Sequence, residues 1–403
     1  MNLIKNVKLS QKTTIGLGAK VPYFIEIKNL EELSEALKFI KENHLFYFIL
    51  GEGSNTIAID KEIPIAILHP VNNQIIYKID KKEFIYNLPV QIQYNNFYNI
   101  DFQCDLYEAI QFYTKKNKKI QIIADAGINW DYFVYFNLLH GIPHFIALSG
   151  IPGKIGSTPI QNVGAYGEEV KSFIEYVYTY TFNEQKVKVF SNKECDFKYR
   201  DSIFKKYLNQ FYIYQVIFNI TLNDSIQIKY PELQKIYLDY KNNSNLELWE
   251  ESLLHILNLN RNIKEFYLLR KCVYTIRRKK GMILDNSEFS KSAGSFFTNP
   301  ILTEEEFIKL KNHLLIENFP FFREGKYFKI PAAWLIEFSG IKKGFRYKNW
   351  GISPLHALAI INYGGTLEEL KEFIQFIQKN VYNKTGILLK PEPVFMEDFI
   401  YKF

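Results

Sequence analysis

The sequence predicts an α+β fold built from three stretches of chain, and three observations predict it. Short β-branched and aromatic runs, broken by Gly and Asn turns, recur from the N-terminus to about residue 280. Two long segments, Leu30 to Asn43 and Asn262 to Lys280, carry helical periodicity instead. From about residue 281 to 390 helices and strands alternate in a smaller α/β unit.

The elements follow in order. Leu45 to Leu50 is an apolar run that reads as a buried strand emptying into Gly51-Glu52-Gly53-Ser54-Asn55, and TIAIDKEIPIAIL (56–68) continues as strand. Residues 69–280 form a second part of mixed strands and turns. Within it Lys241 opens an inserted segment near 241–262, where Trp249 to Leu259 is expected to add a surface helix. The helix over Asn262 to Lys280 buries Ile263, Phe266, Tyr267, Val273 and Ile276, and Gly281 ends it as a C′ residue. In the third part, 281–403, Pro331 opens the helix of Trp334 and Gly340 closes it. His356 to Tyr363 reads as a strand, Thr366 and Glu369 form a capping box for the last helix, and the tail after Lys390 is expected to return toward the active site.

The densest information lies in Gly141 to Val170, where Gly150, Gly153, Gly156, Gly164 and Gly167 stand among small polar residues. Glycine permits positive φ and close approach of main-chain N–H groups, whose concavities suit a pyrophosphate. With Gly51-x-Gly53 this makes two phosphate-friendly loops, which suggests a dinucleotide. A Rossmann turn would need a third glycine opening a helix; Thr56 stands there, and the following segment is strand-like. A Walker-type loop is absent. The dinucleotide is then held across two separate loops, as in the FAD-binding fold of the vanillyl-alcohol-oxidase/PCMH type, unless the loops are ordinary Gly-Ser turns.

Five motifs stand in the order seen in the UDP-N-acetylenolpyruvoylglucosamine reductase (MurB) family, which the chain resembles. They are Leu50–Asn55, Ser149–Gly153 with Gly156–Gly167, Tyr199–Lys205, Ser292–Pro300 and Ala332–Glu337. The match runs to about Leu68, from Ala124 to Tyr230 and from Arg277 onward, and is poor between. The resemblance implies a two-part FAD-binding domain (1–68 and 69–280) and a C-terminal substrate-binding domain (281–403). It also implies NADPH-dependent, FAD-mediated reduction of UDP-N-acetylglucosamine enolpyruvate to UDP-N-acetylmuramate in peptidoglycan precursor synthesis.

By the same resemblance, Arg200 and Glu392 flank the substrate carboxylate and Ser295 donates the proton. Non-covalent FAD is expected to contact Gly51, Gly53, Ser54, Asn55, Gly156, Ser157 and Arg277. The substrate is expected to meet Tyr166, Tyr230, Lys280 and Asn299, and the Tyr230 segment resembles the branch of the family that closes a tyrosine-bearing loop. The chain departs from the family pattern at Lys390, Val394, Ser353 and His356. From the residues alone, Arg200 beside Asp201 also reads as a surface ion pair, and Ser295 as a small turn residue.

Composition fits such an enzyme. The 403 residues are 47% hydrophobic and 16% aromatic, enough for a large core, with 28 Tyr and 34 Phe. The opening MNLIKNVKLSQK lacks a signal-peptide core, and no apolar run approaches the ~20 residues of a membrane span, so a cytoplasmic protein is expected. A monomer is the expected state. Cys104, Cys195 and Cys272 lack CxxC spacing, and Gly141 and Pro143 break the helix a His140/His144 zinc pair would need, so no metal is expected. A net charge of +7 invites nucleic acid, but the basic clusters are only Lys115–Lys119 and Arg277–Lys280, the latter a helix-terminal group; no nucleic-acid partner is expected. Another flavin oxidoreductase, or a flavoprotein that binds without turnover, are the rival readings.

Overall fold

The computed structural model describes all residues except 92–101, 223–227, 243–260, 286, 315, 317 and 403. The expected surface helix at Trp249 to Leu259 lies outside the described residues. A first sheet has the order Asn2–Lys8, Lys20–Ile27, Ile65–Pro70, Phe46–Ile49 and Tyr401–Lys402, with the three inner strands parallel. Helix Leu30–Glu42, capped by Asn29, lays Leu33, Ala36 and Ile40 on one face of it against Ile25, Ile27, Ala66 and Leu68. The other face is closed by Leu9, Phe24, Phe48, Ile65, Ile67 and Met396. Burial on both faces explains why Ile65–Pro70 reads as a continuous apolar run rather than an alternating one. The run predicted over 56–68 is divided: Thr56–Ile57 pairs elsewhere, with Val394–Phe395, and the strand resumes at Ile65.

A second, antiparallel sheet of six strands runs Lys186–Ser191, Ile174–Thr181, Phe211–Thr221, Lys119–Asp125, Gln74–Ile79 and Lys82–Asn87. Helices Cys104–Thr114 and Trp130–Leu139 cover it through a core of Trp130, Phe133, Phe145 and Phe218. The third part packs around the 19-residue helix Leu367–Thr385, which has the expected Thr366/Glu369 capping box and ends at Gly386 with φ 71°. The predicted strand His356–Tyr363 shortens to Ile360–Asn362, because His356 turns the chain by accepting the Leu358 N–H on Nδ1. The C-terminal segment returns twice, pairing with Thr56–Ile57 and with Phe46–Tyr47.

Helix Arg261–Lys279 ends as expected: Gly281 has φ 62°, its N–H meets the Arg278 carbonyl and the Met282 N–H meets the Arg277 carbonyl, a Schellman closure. This helix is docked by a buried charge cluster. Arg270 donates two 2.8 Å hydrogen bonds to the Asp131 carboxylate, the Tyr274 hydroxyl donates to the same group, and Asp131 is 1% exposed. Asp131 also accepts the Gly150 N–H at 2.5 Å, so one carboxylate ties two helices to the glycine-rich loop. Removing one member of a buried pair strands the other charge, at a cost of about 3–5 kcal/mol. Asp131→Ala should therefore lower stability by about that amount in urea unfolding, while replacing Asp131 and Arg270 together by Leu and Met recovers only part of it, because the Tyr274 hydroxyl and the Gly150 N–H still lose their acceptor. A loss below about 1 kcal/mol for the single variant would show the cluster to be dispensable.

Candidate active site

The two glycine loops meet, and Glu52 joins them. Its carboxylate accepts Asn129 Nδ2 at 2.6 Å and the Gly153 N–H at 3.1 Å. Asn129 in turn caps helix Trp130–Leu139, its Oδ1 accepting the Tyr132 N–H. Ser54 donates to the Pro152 carbonyl at 3.1 Å and Asn55 to Gln161 Oε1 at 2.6 Å. Lys154, 1% exposed, donates to the Gly127 and Val90 carbonyls; burial pulls its pKa down to about 8, against the opposing charge of Glu52. Backbone crowding demands glycine here: a Cβ on Gly53, at φ 64°, would lie 2.2 Å from the Lys12 carbonyl, and one on Gly156 would lie 2.7 Å from Ala126 Cβ. Ser157 caps its own turn by accepting the Lys154 N–H and donating to the Lys154 carbonyl, while Gly51 is not crowded, since a Cβ there would meet Ser157 Cβ at an ordinary 3.9 Å.

Arg277 is buried and donates to the Gly150 and Met282 carbonyls at 3.0 and 2.9 Å. Gly150 is thus gripped at both backbone groups, its N–H by Asp131 and its C=O by Arg277. Among the described residues no carboxylate forms an ion pair with Arg277, which suits it to an anion. Several N–H groups of the second loop are already bonded within the fold, those of Gly150, Gly153 and Gly156 among them, so the buried Arg277 guanidinium is the group here best suited to a pyrophosphate.

The Ser292–Pro300 motif forms the next wall. Ser295 bridges to Ala359, and Phe297 bridges to Pro391, so this extended segment runs between the Ala359 and Pro391 segments. The Glu392 N–H donates to the Phe296 carbonyl and the Val394 N–H to the Asn55 carbonyl, which threads the C-terminal segment between Ser295 and the first glycine loop. Glu392 is 9% exposed. Burial raises its carboxyl above the ordinary range, opposed by the charges of Arg200 and then Lys205. Arg200 comes from the other side: Nη2 donates to the Gly164 carbonyl at 2.6 Å and Nε lies 3.3 Å from Glu392 Oε1. It therefore does not form the surface pair with Asp201. Gly164 leaves room for it, since a Cβ there would sit 3.2 Å from Nη1.

A small cleft of about 140 Å³ gathers Ser54, Asn55, Gly164, Arg200, Arg277, Ser295 and Glu392 on its lining. Residues nearly 340 positions apart in sequence meet there. A larger cavity of about 730 Å³ shares Arg200 and takes in Tyr199 and Asn299, beside helix Glu304–Leu314. It lacks Ser295 and Glu392, so the carboxylate–guanidinium–hydroxyl chemistry belongs to the smaller cleft. Asn299 there is engaged across the fold, its Oδ1 accepting the Ala332 N–H at the start of helix Ala332–Phe338. Tyr166, at φ 52°, hydrogen-bonds Arg277 and meets Tyr230 edge-on at 5.4 Å; burial pushes its hydroxyl up to about 12. Lys280 pairs at 3.0 Å with Glu232, next to the Tyr230 segment, and does not line the cleft.

Glu52, Asp131, Gln161 and Lys205 were not singled out from the sequence, although all but Asp131 lie inside or beside the motifs. The partners of Glu52, Asp131 and Gln161 are remote in the chain, and a spacing pattern carries no sign of that; Lys205 reaches back only to the Arg200 carbonyl. Among the described residues no cluster of His, Cys, Asp and Glu is placed to hold a metal, and no helix is long and apolar enough to cross a membrane. His140 is engaged as a helix cap, bonded to the Phe136 carbonyl and the Gln103 N–H.

Residues 285–396 match the family model described as the UDP-N-acetylenolpyruvoylglucosamine reductase C-terminal domain. The crystal structure of UDP-N-acetylenolpyruvylglucosamine reductase (MurB) from Thermus caldophilus superposes with a TM-score of 0.57 at 18% identity, covering 98% of this chain and 99% of that one. At that identity the likeness speaks to the fold alone, a mixed arrangement of helices and sheets. Two UDP-N-acetylenolpyruvoylglucosamine reductases are closer in sequence. That of Flavobacterium johnsoniae is 31% identical over 396 residues, spanning 97% of this chain and 99% of its own length. That of Thermobifida fusca is 30% identical over 399 residues, 97% of each. Likeness of this extent, carried from one end of the fold to the other, makes the chain a member of the UDP-N-acetylenolpyruvoylglucosamine reductase family, a family of FAD-dependent oxidoreductases.

Proposed function

We propose that the chain uses NADPH and non-covalently bound FAD to reduce UDP-N-acetylglucosamine enolpyruvate to UDP-N-acetylmuramate. The observation that carries this reading is the convergence of Arg200, Glu392 and Ser295 on one cleft beside the joined glycine loops. The proposed units are residues 1–68 and 69–280 for the cofactor and 281–403 for substrate, in a cytoplasmic monomer. FAD would lie against Gly51, Gly53, Ser54, Asn55, Gly156, Ser157 and Arg277. When bound, the flavin supplies the two-electron transfer from NADPH to the enol ether.

The chain's own residues have two tasks. Addition at the carbon distal to the carboxylate leaves an enolate-like dianion, which must be stabilised and then protonated at the adjacent carbon. Arg200, with donors left beyond its contacts to Gly164 and Glu392, suits a carboxylate. Glu392, whose burial favours the protonated form, can share a proton with that dianion rather than repel it. Ser295 presents a hydroxyl on the cleft wall beside Gly294, and a positioned acid contributes roughly a hundredfold to ten-thousandfold. Tyr166, Tyr230, Lys280 and Asn299 would hold the sugar nucleotide, with the Lys280 ammonium exchanging Glu232 for the diphosphate.

Purified protein should be yellow and release intact FAD on heat or acid denaturation; a colourless protein that cannot be reconstituted with FAD would sink this reading. Lys280→Ala should raise the substrate KM strongly and leave bound FAD in place. An unchanged KM would confine Lys280 to its Glu232 pair. Ser295→Ala should bleach its flavin with NADPH at a near-normal rate under anaerobic stopped flow, yet its reoxidation by UDP-N-acetylglucosamine enolpyruvate should slow by at least roughly a hundredfold. Reoxidation as fast as wild type would make Ser295 a packing residue.

A further inference from the structure

Arg200 is not only a side chain in the cleft; its backbone is in an unusual state. It has φ +53°, in the left-handed region, where the Cβ of a non-glycine residue crowds its own backbone. Such a conformation persists where the surroundings over-determine it. Two contacts of the guanidinium, with Gly164 and Glu392, hold the far end of the side chain. A third acts on the backbone itself: the Lys205 ammonium donates to the Arg200 carbonyl at 3.1 Å.

Lys205 is well placed for this. It lies in the short helix Ile203–Lys206, whose cap Ser202 accepts the Phe204 and Lys205 N–H groups and donates to the Ile160 carbonyl at 2.5 Å. The base of the lysine is thereby tied to the second glycine loop, and its four-carbon stem folds back five residues. Lys205 is half-buried, and burial depresses its pKa, which an ammonium tolerates only beside compensating groups. Those groups are the Arg200 carbonyl and the nearby carboxylates of Glu392 and Asp201. The groups that act on Glu392 are Arg200, Lys205 and the phenol of Tyr199.

We propose that Lys205 is a positioning residue of the reaction, holding the Arg200 backbone in its left-handed state and adding a second positive charge opposite Glu392. This rests on the assignment of Arg200 and Glu392 to the substrate carboxylate. Displacing a carboxylate-binding guanidinium by about 1 Å is enough for a loss near a hundredfold. Removing the ammonium also withdraws a charge that favours ionised Glu392, so the Glu392 pKa rises further.

The test uses FAD-loaded Lys205→Met and Lys205→Arg beside Arg200→Lys and Glu392→Gln. Lys205→Met should retain FAD and bleach normally with NADPH, while its reoxidation by substrate slows about tenfold to a hundredfold. The limb of the pH profile that disappears in Glu392→Gln should move to higher pH in Lys205→Met, a change that a merely structural role would not produce. Lys205→Arg, which keeps charge and donor, should recover most of the rate. If Lys205→Met reoxidises within about twofold of wild type with an unmoved limb while Arg200→Lys and Glu392→Gln are impaired, the inference fails and the site assignment stands. Should those two variants also react normally, the assignment itself fails and takes the inference with it. Loss of FAD from both lysine variants would make Lys205 a folding residue and overturn the proposal.

Discussion

The carboxylate of Glu52 holds together what the rest of the site needs. Glycine loops that bare their N–H groups to a ligand have few side chains with which to stabilise themselves, and glycine loses more chain entropy on ordering than any other residue. Their geometry must be imposed from outside. Glu52 does this by bonding Gly153 and Asn129 at once, which couples the first loop, the second loop and the start of helix Trp130–Leu139. Asp131, two residues beyond Asn129, extends the same grip to Gly150 and to the helix of Arg270. Two acidic side chains thus connect both phosphate-suited loops to the two helices beneath them.

Once the loops are set, the C-terminal segment can be threaded across them. Val394 bonds the Asn55 carbonyl and Glu392 bonds the Phe296 carbonyl, so the last strands of the chain are registered against the first loop and the Ser295 strand together. That register delivers the Glu392 carboxyl to a buried position. The carboxyl is raised by burial and held partly in check by the positive charges of Arg200 and Lys205. Strain gathers at the same place, since Tyr166 and Arg200 both adopt left-handed backbone conformations. Burial, charge and strain coincide where reacting groups must be kept in one geometry, which is the usual signature of a functional site.

Much of this was legible in the sequence. Helix Leu30–Glu42, the strand feeding Gly51, the Gly281 stop and the Thr366/Glu369 box are local events, decided by periodicity and by a few residues whose side chains or φ preferences act on their own backbone. The glycine loops announced themselves for the same reason: at Gly53, Gly150, Gly153 and Gly156 a positive φ or close packing leaves no place for a side chain. The motif resemblance named Arg200, Ser295 and Glu392, and the structure brings those three to one cleft.

Tertiary structure alone decided the rest. No spacing rule shows that Thr56–Ile57 leaves its run to pair with Val394–Phe395, that His356 turns the chain before its strand begins, or that Asn299 faces a different cavity from Ser295. Likewise Arg200 beside Asp201 reads equally well as a surface pair until Gly164 and Glu392 are seen around its guanidinium. The reason is physical. A local sequence specifies backbone preference and the face a segment must bury, but the partner of a buried charge is chosen by which distant segments share that interior. Glu52 with Gly153, Asp131 with Arg270 and Arg200 with Glu392 each acquire their meaning only when the fold closes around them.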